Sequence, residues 1–359
     1  MNELTARRFR NFRRIRRAWW SLWAFAAIFV FCLFAEWVCP CDPKAVVDAK
    51  ELEPYRESAT ECDYDVRTVR FSRRADGSVF DYEGPASYDA ADYFVRETPR
   101  EGYVRVFLEP KSPPKATVRD IAPAAVSFPF RPVPGHPFGI DAGGRDVCSR
   151  VVHGLRISLV FGLALALLGM FFGLVIGAVE GYFGGATDIV LQRFTEVWSA
   201  LPFLYVMIFI GSTLGRSFTV LLVCYAIFNW ITVSYYMRAE VLRLRGRTFV
   251  EAAKVQGVST FRIIFVHILP NALTPLITLF PFLLMGAIGS LAALDFLGFG
   301  LPPMTPSCGE LMQEAQQFRG AWWLLVFPAA ALFVVMLLTV LVGEGLRDAF
   351  DPRQKSKLE

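Results

Sequence analysis

ISLVFGLALALLGMFFGLVIGAV, residues 157–179, is a run of 23 residues without one charged side chain. An α-helix rises about 1.5 Å per residue and the hydrocarbon core of a bilayer is about 30 Å thick, so a run of this length crosses it once. Five further uncharged runs occupy residues 18–35, 197–215, 217–237, 271–294 and 321–343. The composition agrees: of 359 residues, 54% are hydrophobic and 19% charged, and the mean hydropathy is positive. Such a chain is not intrinsically disordered. Six runs of this length exceed what the buried helices of a soluble protein need, and in lipid a helix satisfies its own backbone groups. The expectation is an all-α membrane protein of six transmembrane helices.

Orientation follows from the arginines. Arg7, Arg8, Arg10, Arg13, Arg14, Arg16 and Arg17 precede the first run, which places the N-terminus in the cytoplasm. Six crossings then return the C-terminus to the same side. Residues 238–270 become a cytoplasmic loop with Arg238, Arg243, Arg245, Arg247, Lys254 and Arg262, and the tail, 346–359, carries Arg347, Arg353, Lys355 and Lys357. The short outer connections hold only Arg216 and Arg319. Setting topology is the commonest role of arginines beside a span; contact with anionic lipid or nucleic acid is the alternative. The first run is too long for a signal-peptide core and lacks a small-residue cleavage pattern, so residues 1–39 read as a basic arm and a retained anchor. Trp19, Trp20, Trp23, Trp322 and Trp323 stand at span ends, where amphipathic rings collect.

Residues 40–138 read as an extracytoplasmic insert, a small mixed α/β or β domain. The whole outer stretch 40–156 holds 17 Lys or Arg against 19 Asp or Glu, which offers nucleic acid no surface. VRFSRRADGSVFDYE, residues 69–83, predicts a hairpin turning at Asp76 and Gly77, with Val69, Phe71, Phe80 and Tyr82 flanking it. Residues 103–108 predict another strand. The seven prolines between 111 and 137 predict a stiff connector without regular structure. Cys39, Cys41, Cys62, Cys148 and Cys308 fall outside, where Cys39 or Cys41 pairs with Cys62 or all stay as thiols; Cys32 and Cys224 read as apolar fillers within spans.

The phosphate-binding string Gly-x-x-x-x-Gly-Lys-Ser/Thr does not occur, nor do His-Glu-x-x-His or Gly-x-Ser-x-Gly. His136, His153 and His267 are scattered and no Cys-x-x-Cys exists, so no metal, cofactor or catalytic residue is expected in this chain. Charges stop at the run edges, at Glu36, Glu180, Asp188, Arg193, Glu196 and Arg216, which disfavours proton coupling. The polar residues left inside, Ser199, Asn229, Thr232, Thr278 and Ser290 with Ser234 and Thr274, either line a neutral pathway or let helices approach closely.

The loop RAEVLRLRGRTFVEAAKVQGVSTFRIIFVHILPN carries the remaining signal. Residues 248–256 predict a short helix, Gly257 a left-handed turn ending it, and Ser259 a cap for a second short helix. Phe261, Ile264, Phe265 and Ile268 would give that helix one apolar face, and Pro270 would open the fifth span. Glu251-Ala252-Ala253, three residues, Gly257, then Leu269-Pro270 resembles the EAA motif of permease subunits in binding-protein-dependent ABC importers; His267 stands where many members have isoleucine. GIDAGGRDVCSRVVHGLRISL (139–159), LDFLGFGLPPMTPSCGELM (294–312), GEGLRDAFDPR (343–353) and RRIRRAWWSLWAF (13–25) resemble stretches of the dipeptide, oligopeptide and nickel branch, with Ile140 and Cys308 as departures. The enlarged insert and Asp295 are similar to the microcin C type of peptide permease.

The resemblance implies a type I importer permease with a MetI-like, five-helix core over 139–345, in the bacterial inner membrane with both termini cytoplasmic. It implies that Glu251, Ala252, Ala253, Gly257, Phe261, Leu269 and Pro270 couple to ATPase subunits. The implied partners are two ABC ATPases, which hold ATP and Mg, a second homologous permease, an extracytoplasmic solute-binding protein and membrane lipid. Peptides are the implied solute class. The alternatives are a secondary transporter or channel not driven by ATP, and an anchored receptor or scaffold.

Overall fold

The structure, a computed structural model, describes residues 3–38, 42–52, 55, 62–73, 79–82, 93–100, 103–110, 115–126 and 128–350. The described helices before the insert are α1 (Glu3–Arg14), α2 (Arg16–Leu33) and α3 (Ala35–Val38), with α4 (Ala49–Leu52) inside it. After it come α5 (Val147–Phe183), α6 (Gly185–Ser199), α7 (Phe203–Thr213), α8 (Phe218–Asn229), α9 (Ile231–Arg245), α10 (Thr248–Val255) and α11 (Thr260–Arg262). A π-helical turn, Ile263–Ile268, leads into α12 (Leu269–Phe296), followed by α13 (Cys308–Gln317) and α14 (Trp323–Phe350).

Among the described residues, five helical segments are long and apolar enough to cross a membrane: Arg16–Leu33, Val147–Phe183, Phe218–Arg245, Leu276–Phe296 and Trp323–Phe350. The run 197–215, expected as a straight crossing, is instead broken. α6 stops at Ser199 and α7 leaves at 71° to it. Pro202 explains the break, because it lacks an amide hydrogen and drives the preceding residue out of helical geometry. α5 is longer than its uncharged run and takes Arg150, Arg156 and Glu180 into the helix.

The bundle is built on α5. Gly169, Gly173, Gly177 and Gly181 recur every fourth residue and therefore share one face. A Cβ on Gly173 would lie 2.5 Å from Val233 Cβ and 2.6 Å from the Trp230 carbonyl, and one on Gly181 would lie 2.7 Å from the Arg238 carbonyl. The α8–α9 backbone thus rests directly on α5. Gly162 does the same for α12, where a Cβ would meet Ile288 Cγ1 at 2.8 Å. Lipid supplies no hydrophobic drive between helices, so this close approach is the main source of association. Two apolar clusters flank the seam, one around Phe161, Leu165, Met207, Leu221, Tyr225 and Leu291, the other around Val233, Met237, Val241, Val250, Ile263 and Ile268. Phe12 and Ala18 pack with Val342 and Ala349, seating α1 and α2 on α14.

Residues Val46–Asp146 form a separate compact unit. Its five strands, β1 (Cys62–Arg73), β2 (Val79–Tyr82), β3 (Tyr93–Arg100), β4 (Tyr103–Pro110) and β5 (Lys115–Val126), make an antiparallel sheet in the order β2-β1-β5-β4-β3. The predicted hairpin is β1–β2, with Arg73 opposite Val79; its turn, 74–78, lies outside the described residues. The proline-rich stretch corrects the expectation of a connector without structure, since β5 is the middle strand. Six of the seven prolines flank it. The seventh, Pro123, lies beyond the β4 pairing, which ends at Val104↔Ile121, and beside a register shift at Asp63/Tyr64, where a missing donor is tolerated. Cys39 and Cys41 lie outside the described residues, as does the side chain of Cys62; Cys32, Cys224 and Cys308 are buried thiols.

The glycine seam makes a direct prediction. Gly173→Leu should wedge α5 from α9 and cost about 1–3 kcal/mol as an overpacked contact, read as a lower melting temperature in detergent. Gly286→Leu on α12, where a Cβ meets nothing within 4 Å, should leave it unchanged; equal effects would contradict the seam.

Candidate functional site: an exposed knob between α9 and α12

α9 ends at Arg245 with Gly246 as its C-cap, Arg247 is extended, and α10 then turns its two faces to different surroundings. Val250 and Ala253, three apart, are buried in the apolar cluster, whereas Glu251, Ala252 and Lys254 are exposed and Val255 is 89% exposed. The helix closes as the sequence predicts. Gly257 has φ +72°, its amide donates to the Lys254 carbonyl at 3.0 Å, and the Val258 amide donates to the Ala253 carbonyl at 3.1 Å. This 5→2 and 6→1 pair satisfies the last carbonyls of α10 and demands a left-handed residue.

Beyond Gly257 the structure departs from expectation. Ser259 stands at the N-cap position of α11 but makes no side-chain cap hydrogen bond. The second segment is not a free short helix: α11 passes through the π turn straight into α12. The Leu269 amide donates to the Ile264 carbonyl, five residues back. Pro270 cannot donate and its ring would strike the Val266 carbonyl, so one extra residue per turn is the accommodation. The single apolar face also divides into two stripes. Ile264 and Ile268, with Ile263, are buried, whereas Phe261 is 70% and Phe265 41% exposed. Their rings lie 4.3 Å apart at 33°. Leu269 is half-buried and Pro270 exposed.

The base of the knob is strapped to the bundle. Arg238 grips Asp188 of α6 through two hydrogen bonds of 2.5 and 2.8 Å. Arg245 donates to the Gly181 and Tyr182 carbonyls at 3.2 and 3.4 Å, where a cation complements the C-terminus of α5. Lys254 lies 5.4 Å over the Tyr182 ring. The knob is thus an exposed projection on a strapped base.

The pathway candidates sit on four helices. Ser199 ends α6, exposed, and its hydroxyl is turned back to the Glu196 carbonyl at 2.9 Å. Asn229 on α8 donates to the Leu165 carbonyl at 3.2 Å, a contact between helices. Thr232 on α9 is exposed, and Thr278 and Ser290 are half-buried on α12, the Ser290 carbonyl accepting from Tyr225 Oη at 2.9 Å. No charged residue lies inside the runs, as expected, but charged groups at or beyond their edges are buried. Arg150 is fully buried between Glu310 at 2.5 Å and Glu314 at 3.2 Å. Glu180 is buried and accepts from Ser234 at 3.4 Å. Asp295 accepts from the Leu301 amide at 2.7 Å and the Ser307 hydroxyl at 2.5 Å, fixing the loop before α13. The sequence signal for the first cluster is Glu310 and Glu314, four apart on a ten-residue helix between two spans.

The comparisons with known proteins identify the family to which this broken-span helical bundle belongs. Residues 159–356 match the family described as binding-protein-dependent transport system inner membrane component, and residues 4–54 match the N-terminal transmembrane domain of oligopeptide transport permease C. The chain belongs to this family of ABC importer permeases. It is similar to the peptidoglycan transport system permease protein YejE of Agrobacterium fabrum, 33% identical over 98% of this chain and 93% of that protein. It is 34% identical to the inner membrane ABC transporter permease protein YejE of Escherichia coli, over 97% of this chain and 96% of that protein. The dipeptide transport system permease protein DppC of Alkalihalophilus pseudofirmus is 38% identical over 62% of this chain and 73% of that protein. The chain is therefore a multi-pass inner-membrane subunit, not itself an enzyme, in a family that works with ATPase subunits and a binding protein.

The buried Arg150 cluster yields a second prediction. Arg150→Gln removes a fully buried cation from between two partly buried carboxylates and should cost about 3–5 kcal/mol, measured as thermal stability in detergent. Adding Glu310→Gln and Glu314→Gln should restore part of the loss; no restoration would contradict the pairing.

Proposed function

We propose that this chain is the gate of an ATP-driven importer for peptides or peptide-like solutes, and that the knob from Thr248 to Pro270 is where the motor grips it. The observation that carries the reading is the exposed pair Phe261 and Phe265, whose rings touch at a tilt. Two aromatic rings standing in water on a base fixed by Arg238 and Arg245 are an interaction site. Glu251, Ala252, Val255 and Gly257 complete its exposed surface. Ala253 and Leu269 hold it to the bundle. ATP and Mg belong to two partner ATPases, whose closure would move the knob and, through Arg238–Asp188 and Arg245, the ends of α5 and α6.

The arginine distribution supports a cytoplasmic knob and cytoplasmic termini, with the sheet unit outside. A second permease subunit is supported by the α6–α7 break, because non-helical backbone is not tolerated against lipid and must face protein or a watery path. Ser199, beside that break, is the strongest pathway candidate; Asn229 is better explained as a contact between helices. The peptide class rests on the names of the relatives.

Phe261→Ala with Phe265→Ala should leave insertion and folding intact, both rings being exposed, yet weaken ATPase copurification about 30-fold or more, as loss of a hot spot does. Gly257→Asp should insert normally and uncouple uptake. Unchanged ATPase binding and uptake in both variants would overturn the assignment.

A further inference from the structure

Below the knob, the last turn of α5 carries a carboxylate that the helix contacts do not account for. Glu180 is 1% exposed; its Oε2 accepts from the Ser234 hydroxyl of α9 at 3.4 Å, and its Oε1 has no hydrogen-bond partner. The Thr195 hydroxyl of α6 also faces it but donates to the Leu191 carbonyl at 2.9 Å. The charged groups that act on Glu180 are Arg238 and Asp188, and these are already joined to each other. A half-satisfied buried carboxylate is costly, yet this one stands beside a guanidinium engaged elsewhere.

The three residues sit on two pieces of the bundle. Glu180 and Arg238 belong to the α5–α9 seam, where a Cβ on the neighbouring Gly181 would lie 2.7 Å from the Arg238 carbonyl. Asp188 lies in the first turn of α6, which follows α5 through Gly184 and Gly185 at φ +63° and +54°. Two successive left-handed glycines suit a hinge.

From this juxtaposition we infer that Glu180 is a second seat for Arg238: when α6 swings on its glycine joint, the guanidinium passes from Asp188 to Glu180. A charge in this region is costly without a partner, so Arg238 can release α6 only if another carboxylate is waiting. Glu180 waits on the piece that carries Arg238. It is therefore a positioning residue of the gate, an assignment that rests on the reading of the knob as the place where the motor grips.

The test reads the full chain in lipid nanodiscs, by electron-spin distances between labels on noncanonical residues replacing Ala186 of α6 and Ala239 of α9, both exposed. Pairing with Asp188 gives a near population, and pairing with Glu180 a far one. Asp188→Asn should raise the far-to-near ratio about tenfold or more, because Arg238 then has one carboxylate left. Adding Glu180→Gln should return the ratio to within about threefold of the unaltered chain. Glu180→Gln alone should not raise it, whereas simple loosening of a packed site would raise it in all three variants. A rise that Glu180→Gln fails to reverse, or a rise with Glu180→Gln alone, would overturn the exchange. In the assembled importer, ATP trapped in the ATPases should raise the same far population. If it does not while the reversal holds, the knob reading fails and the second seat stands.

Discussion

Backbone contact between α5 and α9 is the interaction on which the remaining architecture depends. In water a helix pair is driven together by burying apolar surface, but hydrocarbon chains are as apolar as leucine, and only close packing distinguishes a neighbour from solvent. Four glycines at every fourth position of α5 provide that contact from Asn229, at the end of α8, to Val241 on α9. The knob rides on the end of α9. α9 cannot lift from α5 without losing the seam, so the proposed grip on α10 would act on α5 as well.

The polar contacts complete the linkage. Arg238 and Arg245, about two turns apart on α9, reach α6 and the C-terminal carbonyls of α5 respectively. Charged groups bonded in this way at the edge of the bundle cannot slide, since a buried or half-buried charge left without its partner is costly. At the other end of α5, Arg150 is held between Glu310 and Glu314 of α13. α5 is therefore gripped at both ends, and α6–α7, broken at Pro202, is the segment least constrained by helix continuity.

The spans, the Gly257 turn and the position of the knob were legible in the amino-acid order, because each rests on a local rule: absence of charge over a bilayer's width, or a left-handed turn after a short helix. The break at Pro202 was not, since one proline in an apolar run leaves hydropathy unchanged. β5 is hidden because seven prolines over 111–137 suggest irregular chain, although only Pro123 falls in the strand. The division of Phe261 and Phe265 from Ile264 and Ile268 depends on how wide a stripe the neighbouring helices cover, which no local pattern states. The buried charges were hidden for a similar reason. Arg150 and Glu310 are 160 residues apart, and their encounter is a property of the fold.

The central claim is that the face around Gly257 is gripped by a motor subunit. A photocrosslinking amino acid in place of Phe261, irradiated in the assembled importer within membranes, tests it most directly. The account predicts a covalent adduct with an ATPase subunit, lost when a residue pointing into the bundle, such as Ile268, carries the probe instead. An adduct with the external binding protein, or equal yields at both positions, would contradict it.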